Sequence, residues 1–182
     1  LWNASKFTIM HLEDFNPNKK VKLMDIDKGV LSKFNEVLKE STASFEKYEY
    51  SKSKLIVDGF FWNTFCDNYL EIVKDRLYNS DKRGVEERRS AQYTLYILLN
   101  SILKQFAPIM PFITEEIYHF YFANKEKSKS IHLSDWPKYN KKEKNEVCEK
   151  IFDSFVEVLN EVRKVKAKHK KSLKEEINLI LP

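Results

Sequence analysis

The chain has 182 residues, 42% of them hydrophobic and 14% aromatic, with only 3 glycines and 5 prolines. That much apolar side chain buries a core and excludes a disordered chain, while so few turn-forming residues point to long helices and an all-α fold. The formal net charge of +5 suits an anionic partner such as RNA; no run approaches the roughly 18 apolar residues of a membrane span, and no secretory leader is visible, so a cytoplasmic location without membrane contact is expected.

In chain order, Trp2, Ser5, Ile9 and Leu12 fall on one helical stripe, and Phe15-Asn16-Pro17-Asn18 reads as a turn, because the residue before proline is pushed out of the α region. Asp25 or Asp27 is placed to cap a second helix along which Val30, Phe34, Val37, Ser41, Phe45 and Tyr48 recur at intervals of three and four. A third helix is predicted from about Ser51 to Tyr78. Within it, a period of 3.6 puts Trp62, Phe65, Cys66, Tyr69, Ile72 and Val73 on a core face and Asn63, Asp67, Glu71 and Lys74 on a polar strip. Gly59 inside this helix suggests close approach by a neighbour. A charged connector containing Gly84 leads to a fourth helix marked by Ala91, Leu95, Leu98 and Ile102, which stops before Pro108.

Pro111 sits where the first turn of a fifth helix tolerates a missing N–H, with Glu115 and Glu116 favoured by the helix dipole. Residues 123 to 139 read as irregular, with Ile131-His132-Leu133 extended. A sixth helix carries Val147, Ile151, Phe155, Val158, Val162 and Val165 at heptad-like spacing, and its last turns hold the basic run Arg163, Lys164, Lys166, Lys168, Lys170 and Lys171. The apolar Ile177 to Leu181 reads as a strand. The expected architecture is therefore an antiparallel bundle of five to six helices, with a short C-terminal strand beginning a truncated subdomain. Leu1 at the start and Pro182 at the end, directly after that apolar run, suggest a piece of a longer polypeptide.

No glycine-rich phosphate loop, metal-spaced Cys/His cluster or Ser-His-Asp set is present, so no catalytic residue, metal ligand or cofactor is assigned to this chain. Cys66 and Cys148 read as buried thiols of a reduced protein. His119, between two aromatics, reads as a buried hydrogen-bonded side chain, and Asp67 with Glu71 as a solvated strip. Lys127-Ser128-Lys129-Ser130 has the look of an ATP-gripping synthetase loop but lacks its methionine and falls in a polar connector, so chance recurrence accounts for it.

Leu1-Trp2-Asn3-Ala4-Ser5-Lys6-Phe7, Leu31-Ser32-Lys33-Phe34-Asn35, Phe61-Trp62-Asn63-Thr64-Phe65-Cys66-Asp67-Asn68-Tyr69-Leu70-Glu71 and Pro108-Ile109-Met110-Pro111-Phe112-Ile113-Thr114-Glu115-Glu116-Ile117 stand in the chain in that order. Together they resemble the successive motifs of the anticodon-binding domain of valyl-tRNA synthetases. The proline-containing turn and Trp136-Pro137 are shared with isoleucyl and leucyl enzymes, whereas Phe65-Cys66-Asp67 followed by Tyr69-Leu70-Glu71 favours the valyl group. The resemblance implies a bundle at residues 1–139 that receives the anticodon stem-loop of valine tRNA, followed at 140–182 by a basic helix and the start of a C-terminal subdomain like that of archaeal-type enzymes. It also implies upstream catalytic and editing domains in the same polypeptide, with ATP and magnesium used by the catalytic one; this chain alone is expected to be inactive.

By the same resemblance, Phe15 stacks on an anticodon base, Leu70 and Glu71 contact base or ribose edges, and Lys6 and Lys74 meet phosphate or polar groups. The basic run from Arg163 to Lys171 touches the tRNA body by charge. These assignments match what unstacked RNA needs: aromatic faces, edge-reading hydrogen-bond groups and cations. Two residues depart from the pattern. Lys6 replaces a usual arginine and loses its planar fork, and Asn68 replaces a frequent tryptophan. An isoleucyl or leucyl relative, or a helical protein-interaction scaffold, remains open at this point.

Overall fold

A computed structural model describes residues 1–172 and Glu175. Among them no β-strand forms, and the chain is helical almost throughout: α1 (Trp2–Met10), α2 (Asp25–Glu46), α3 (Tyr50–Gly59), a π-helix (Phe60–Tyr69), α4 (Leu70–Tyr78), a single turn α5 (Ser80–Arg83), α6 (Val85–Phe106), α7 (Pro111–Glu126) and α8 (Glu146–Lys168). Because α3, the π-helix and α4 run on without a break, they form one long rod, as expected from Ser51 to Tyr78. The expected strand at Ile177–Leu181 lies outside the described residues.

The core is built around α6, whose Ala91, Leu95, Leu98, Leu99, Ile102 and Leu103 are fully buried, and which touches α1, α2, α3, α4 and α7. The long rod runs antiparallel to α2: Tyr69 and Arg76 near its end meet Asp27 at the start of α2, and Ser53 near its beginning donates to the Ser41 carbonyl at 2.9 Å. Pro111 occupies the first position of α7, as its missing N–H allows. That helix stops at Lys127, whose left-handed backbone (φ 54°) ends the run, while the Ser128 N–H returns to the Ala123 carbonyl. The lysine-serine stretch is thus a helix stop.

Six local expectations are corrected. Neither Asp25 nor Asp27 caps α2; the cap position is Met24, Asp25 pairs with Lys28, and Asp27 is buried in an ion pair. Tyr48 is exposed because the chain turns there through a left-handed residue (φ 62°), with the Glu49 N–H donating to the Ser44 carbonyl. Gly59 faces open space, and the close approach is instead at Gly29, where a Cβ would lie 2.2 Å from the Cys148 carbonyl oxygen of α8. Glu115 lies past the first turn of α7 and accepts from the Ser130 hydroxyl and the Ile131 N–H, drawing residues 131–133 into a 3-10 turn rather than an extended segment. His119 is exposed, 3.0 Å from Glu115.

The sixth correction concerns α8. Its heptad-spaced Val147, Ile151, Phe155, Val158 and Val165 are exposed, and the face packed on α2 is set by Cys148 and Phe152. Gly29 explains the choice: without a side chain, α2 opens a gap into which the α8 backbone fits. Ser32 donates to Glu149, Lys33 pairs with Asp153 at 2.9 Å, and Asn35 exchanges two hydrogen bonds with the backbone of Asn140.

One polar cluster joins the rods. Arg76 grips Asp27 through two hydrogen bonds of 2.7 and 2.8 Å, the Tyr69 hydroxyl donates to the same carboxylate at 2.6 Å, and Ser90 of α6 adds a further donor. Burial alone would lower the Arg76 pKa, but hydrogen bonding and attraction from Asp27 outweigh it and raise it, so the guanidinium stays charged. Burial and the neighbouring Asp27 charge push the Tyr69 phenol well above its ordinary value, so it remains a donor. Removing one partner of such a pair leaves a buried charge uncompensated.

Candidate nucleic-acid interface

The site follows from how the rod winds between Phe60 and Tyr69. In an α-helix the 3.6-residue period would send Trp62 inward with Phe65 and Tyr69. Here the turn is widened to i→i+5: the Leu70 N–H donates to the Phe65 carbonyl, and the Asn68 side chain donates to the Asn63 carbonyl five residues back at 2.6 Å. The buried residues are therefore Phe60, Phe61, Phe65, Tyr69 and Leu70, spaced by four and five. Trp62 is 55% exposed, which corrects its assignment to the core. Asn63, Asp67 and Glu71 remain on the outer strip as expected.

Turned outward, Trp62 forms one end of a groove of about 450 Å3 between the rod and α1, with Leu70, Glu71 and Lys74 further along the rod and Trp2, Asn3 and Phe7 opposite. The structure thus brings together three of the sequence-assigned residues. Glu71 and Lys74 are half exposed and pair with each other across one turn. Leu70 is only 9% exposed, so its side chain belongs mostly to the core. Cys66 also lines this groove, and burial pushes its thiol up to about 11, keeping it a neutral, apolar wall. Beyond Lys74 the edges continue as aromatic rings, Phe7, His11 and Tyr78 meeting at centroid distances of 4.7 Å. Burial and the nearby Arg88 charge lower the His11 pKa, with Asp14 opposing, so the imidazole is held neutral.

Two assigned residues stand apart. Lys6 is exposed but lines a neighbouring cleft on the α7 side of α1, with Trp2, Ile9 and Phe120. Phe15 is 4% exposed and its ring lies 5.7 Å from that of Tyr96; both of its faces are taken up by the core, so in this conformation it fixes the loop after α1 rather than offering a stacking surface. Around it lie Lys19, Arg88 and Arg89, which sequence reasoning did not single out; Arg88 pairs with Asp14 at 2.9 Å.

The basic run divides in the same way. Arg163 donates to the Asn68 side chain at 3.1 Å and to the Asp67 carbonyl at 2.7 Å, bracing α8 against the π-helix. Asn68, which stands in place of a frequent tryptophan, is the link in that brace. Lys166 is buried and donates to the Glu175 carbonyl. Lys164, Lys168, Lys170 and Lys171 are exposed, Lys164 and Lys171 pairing with Glu161 and Glu175. Among the described residues no group of three or more His, Cys, Asp or Glu side chains is placed to hold a metal ion, and no helix is long and apolar enough to cross a membrane.

Fold and site together define an all-helical bundle with an aromatic-walled, polar-lipped groove on its surface. A family model described as the anticodon-binding domain of tRNA ligase matches residues 27–181, and the chain belongs to that family. It is similar to the valine–tRNA ligases of Ehrlichia canis (39% identical, 100% of this chain and 22% of the relative), Ehrlichia ruminantium strain Gardel (42%, 96% and 21%) and Pyrococcus furiosus (36%, 93% and 19%). The chain thus spans about a fifth of the length of the relatives it matches.

Proposed function

We propose that this chain is the part of a valine-tRNA ligase that binds the anticodon stem-loop of valine tRNA. It holds the tRNA while an upstream catalytic region of the same cytoplasmic polypeptide, using ATP and magnesium, charges the acceptor end, and an editing region acts on mischarged product. The observation that carries the reading is the groove in which Glu71 and Lys74 stand exposed beside aromatic rings, on a chain belonging to an anticodon-binding family. A carboxylate accepts from base amines or ribose hydroxyls, an ammonium meets phosphate, and an exposed ring covers an unstacked base. The valine assignment is supported by the names of the relatives.

The exposed lysines at the end of α8 add a salt-sensitive contact to the tRNA body. Titrating the chain with valine and isoleucine tRNAs at two salt concentrations tests the reading. The expected result is tighter binding of valine tRNA at both salts, with affinity for each falling as salt rises. Equal affinity for the two tRNAs would reduce the chain to a generic RNA binder, and no binding would favour a protein-interaction scaffold.

A further inference from the structure

The geometry points to Trp62 as the base-stacking platform of the groove, a role the resemblance had given to Phe15. This rests on the reading of the groove as an anticodon site, and deepens it by naming the residue that holds an unstacked nucleobase. Three observations carry it. First, Phe15 has no face to offer, being 4% exposed against Tyr96. Second, Trp62 presents more than half its surface to solvent although it lies in the most aromatic stretch of the chain, and it does so because the π-helical winding turns it off the core face held by Phe65 and Tyr69. The Phe61 ring meets the indole in a T-shaped contact at 5.1 Å and 70°, which steadies it while more than half of the tryptophan stays open to solvent.

Third, the same groove holds the complementary chemistry. Glu71 and Lys74 stand on the rod two to three turns beyond Trp62, and the protonated Cys66 thiol between them leaves the wall apolar. Their mutual ion pair is exposed, so exchanging it for contacts to a base edge and a phosphate costs little. Trp2, also exposed across the groove, stacks edge-on with Phe120 at 5.6 Å and forms the opposite lip. A tryptophan face is tolerant of base identity; it supplies affinity for a splayed base, leaving Glu71 to read the edge.

The test uses Trp62→Leu and Trp62→Phe, with binding of valine tRNA compared with the same tRNA carrying an exchanged anticodon. Trp62→Leu is expected to weaken valine tRNA binding roughly tenfold, the loss of one stacked base, and Trp62→Phe to restore most of it. Because the ring is exposed, both variants are expected to melt close to the parent. If the parent discriminates between the two tRNAs but Trp62→Leu binds as the parent does, the stacking assignment is overturned and the groove reading stands. If the parent does not discriminate, the groove reading falls and the assignment with it. A tenfold loss accompanied by a clear fall in melting temperature and no recovery in Trp62→Phe also overturns the assignment, since the ring would then be structural.

Discussion

Two ion pairs sit on the last turns of the same rod and do opposite things. Arg76 is buried against Asp27, doubly hydrogen-bonded and ringed by Tyr69 and Ser90. Lys74, two residues earlier, points outward and meets Glu71 with both side chains nearly half exposed. The first pair joins α2, the rod and α6 and has no solvent to replace a lost partner. The second is held by a weak, water-screened attraction and is free to trade partners. Charge on a helix is fixed or free to meet a partner according to which side faces water, and one rod here carries a buried pair and an exposed one.

Arg76→Ala strands the Asp27 carboxylate in the core. It is expected to lower unfolding free energy by about 3–5 kcal/mol in urea titrations; a loss below about 1 kcal/mol would show that the cluster is not what joins the rods. Next in size is Gly29→Ala, which sets a Cβ against the α8 backbone rather than against a yielding side chain. A loss of about 1–3 kcal/mol is expected, whereas a stabilised variant would mean that α8 shifts freely.

Glu126 is intermediate between the two pairs. Burial would raise its pKa, but hydrogen bonds from Tyr118, Lys104 and Asn100 outweigh this and leave it below its ordinary value of 4.5. A depressed carboxylate contributes stability above its unfolded pKa and loses that contribution as pH falls through the folded value. The denaturation midpoint is thus expected to fall below about pH 4.5, and to fall less steeply in Glu126→Gln. Smallest in stability are Glu71→Ala and Lys74→Ala, expected to change unfolding by no more than about 0.5 kcal/mol while weakening valine tRNA binding several-fold. A Glu71→Ala chain that unfolds easily and binds normally would invert the comparison.

How far the sequence revealed these features depended on whether the signal was local. The buried stripe of α6 and the proline that opens α7 were legible because strong periodicity and the missing N–H of Pro111 act within a turn or two. Trp62 was not, because a 3.6 period was applied to a stretch that winds more widely; the spacing of Phe60, Phe61, Phe65 and Tyr69 by four and five was the available clue. Asp27 resembled a cap because an acid near a helix start looks alike whether it faces water or a distant arginine. The heptad stripe of α8 misled because the packed face was decided by Gly29, more than a hundred residues away. At the site, Glu71 and Lys74 were legible as a polar strip, while the burial of Phe15 depends on Tyr96, which no local pattern links to it.

The three tryptophan indole N–H resonances of the chain report on whether the outward side of the rod is the side that faces RNA. Trp62 and Trp2 line the groove, whereas the Trp136 indole donates to Thr42 at 2.9 Å on α2 and serves as an internal reference. Adding the anticodon stem-loop of valine tRNA is expected to shift the Trp62 and Trp2 signals and leave that of Trp136 in place. A shift confined to Trp136, or saturating binding with the Trp62 signal unmoved, would contradict the account.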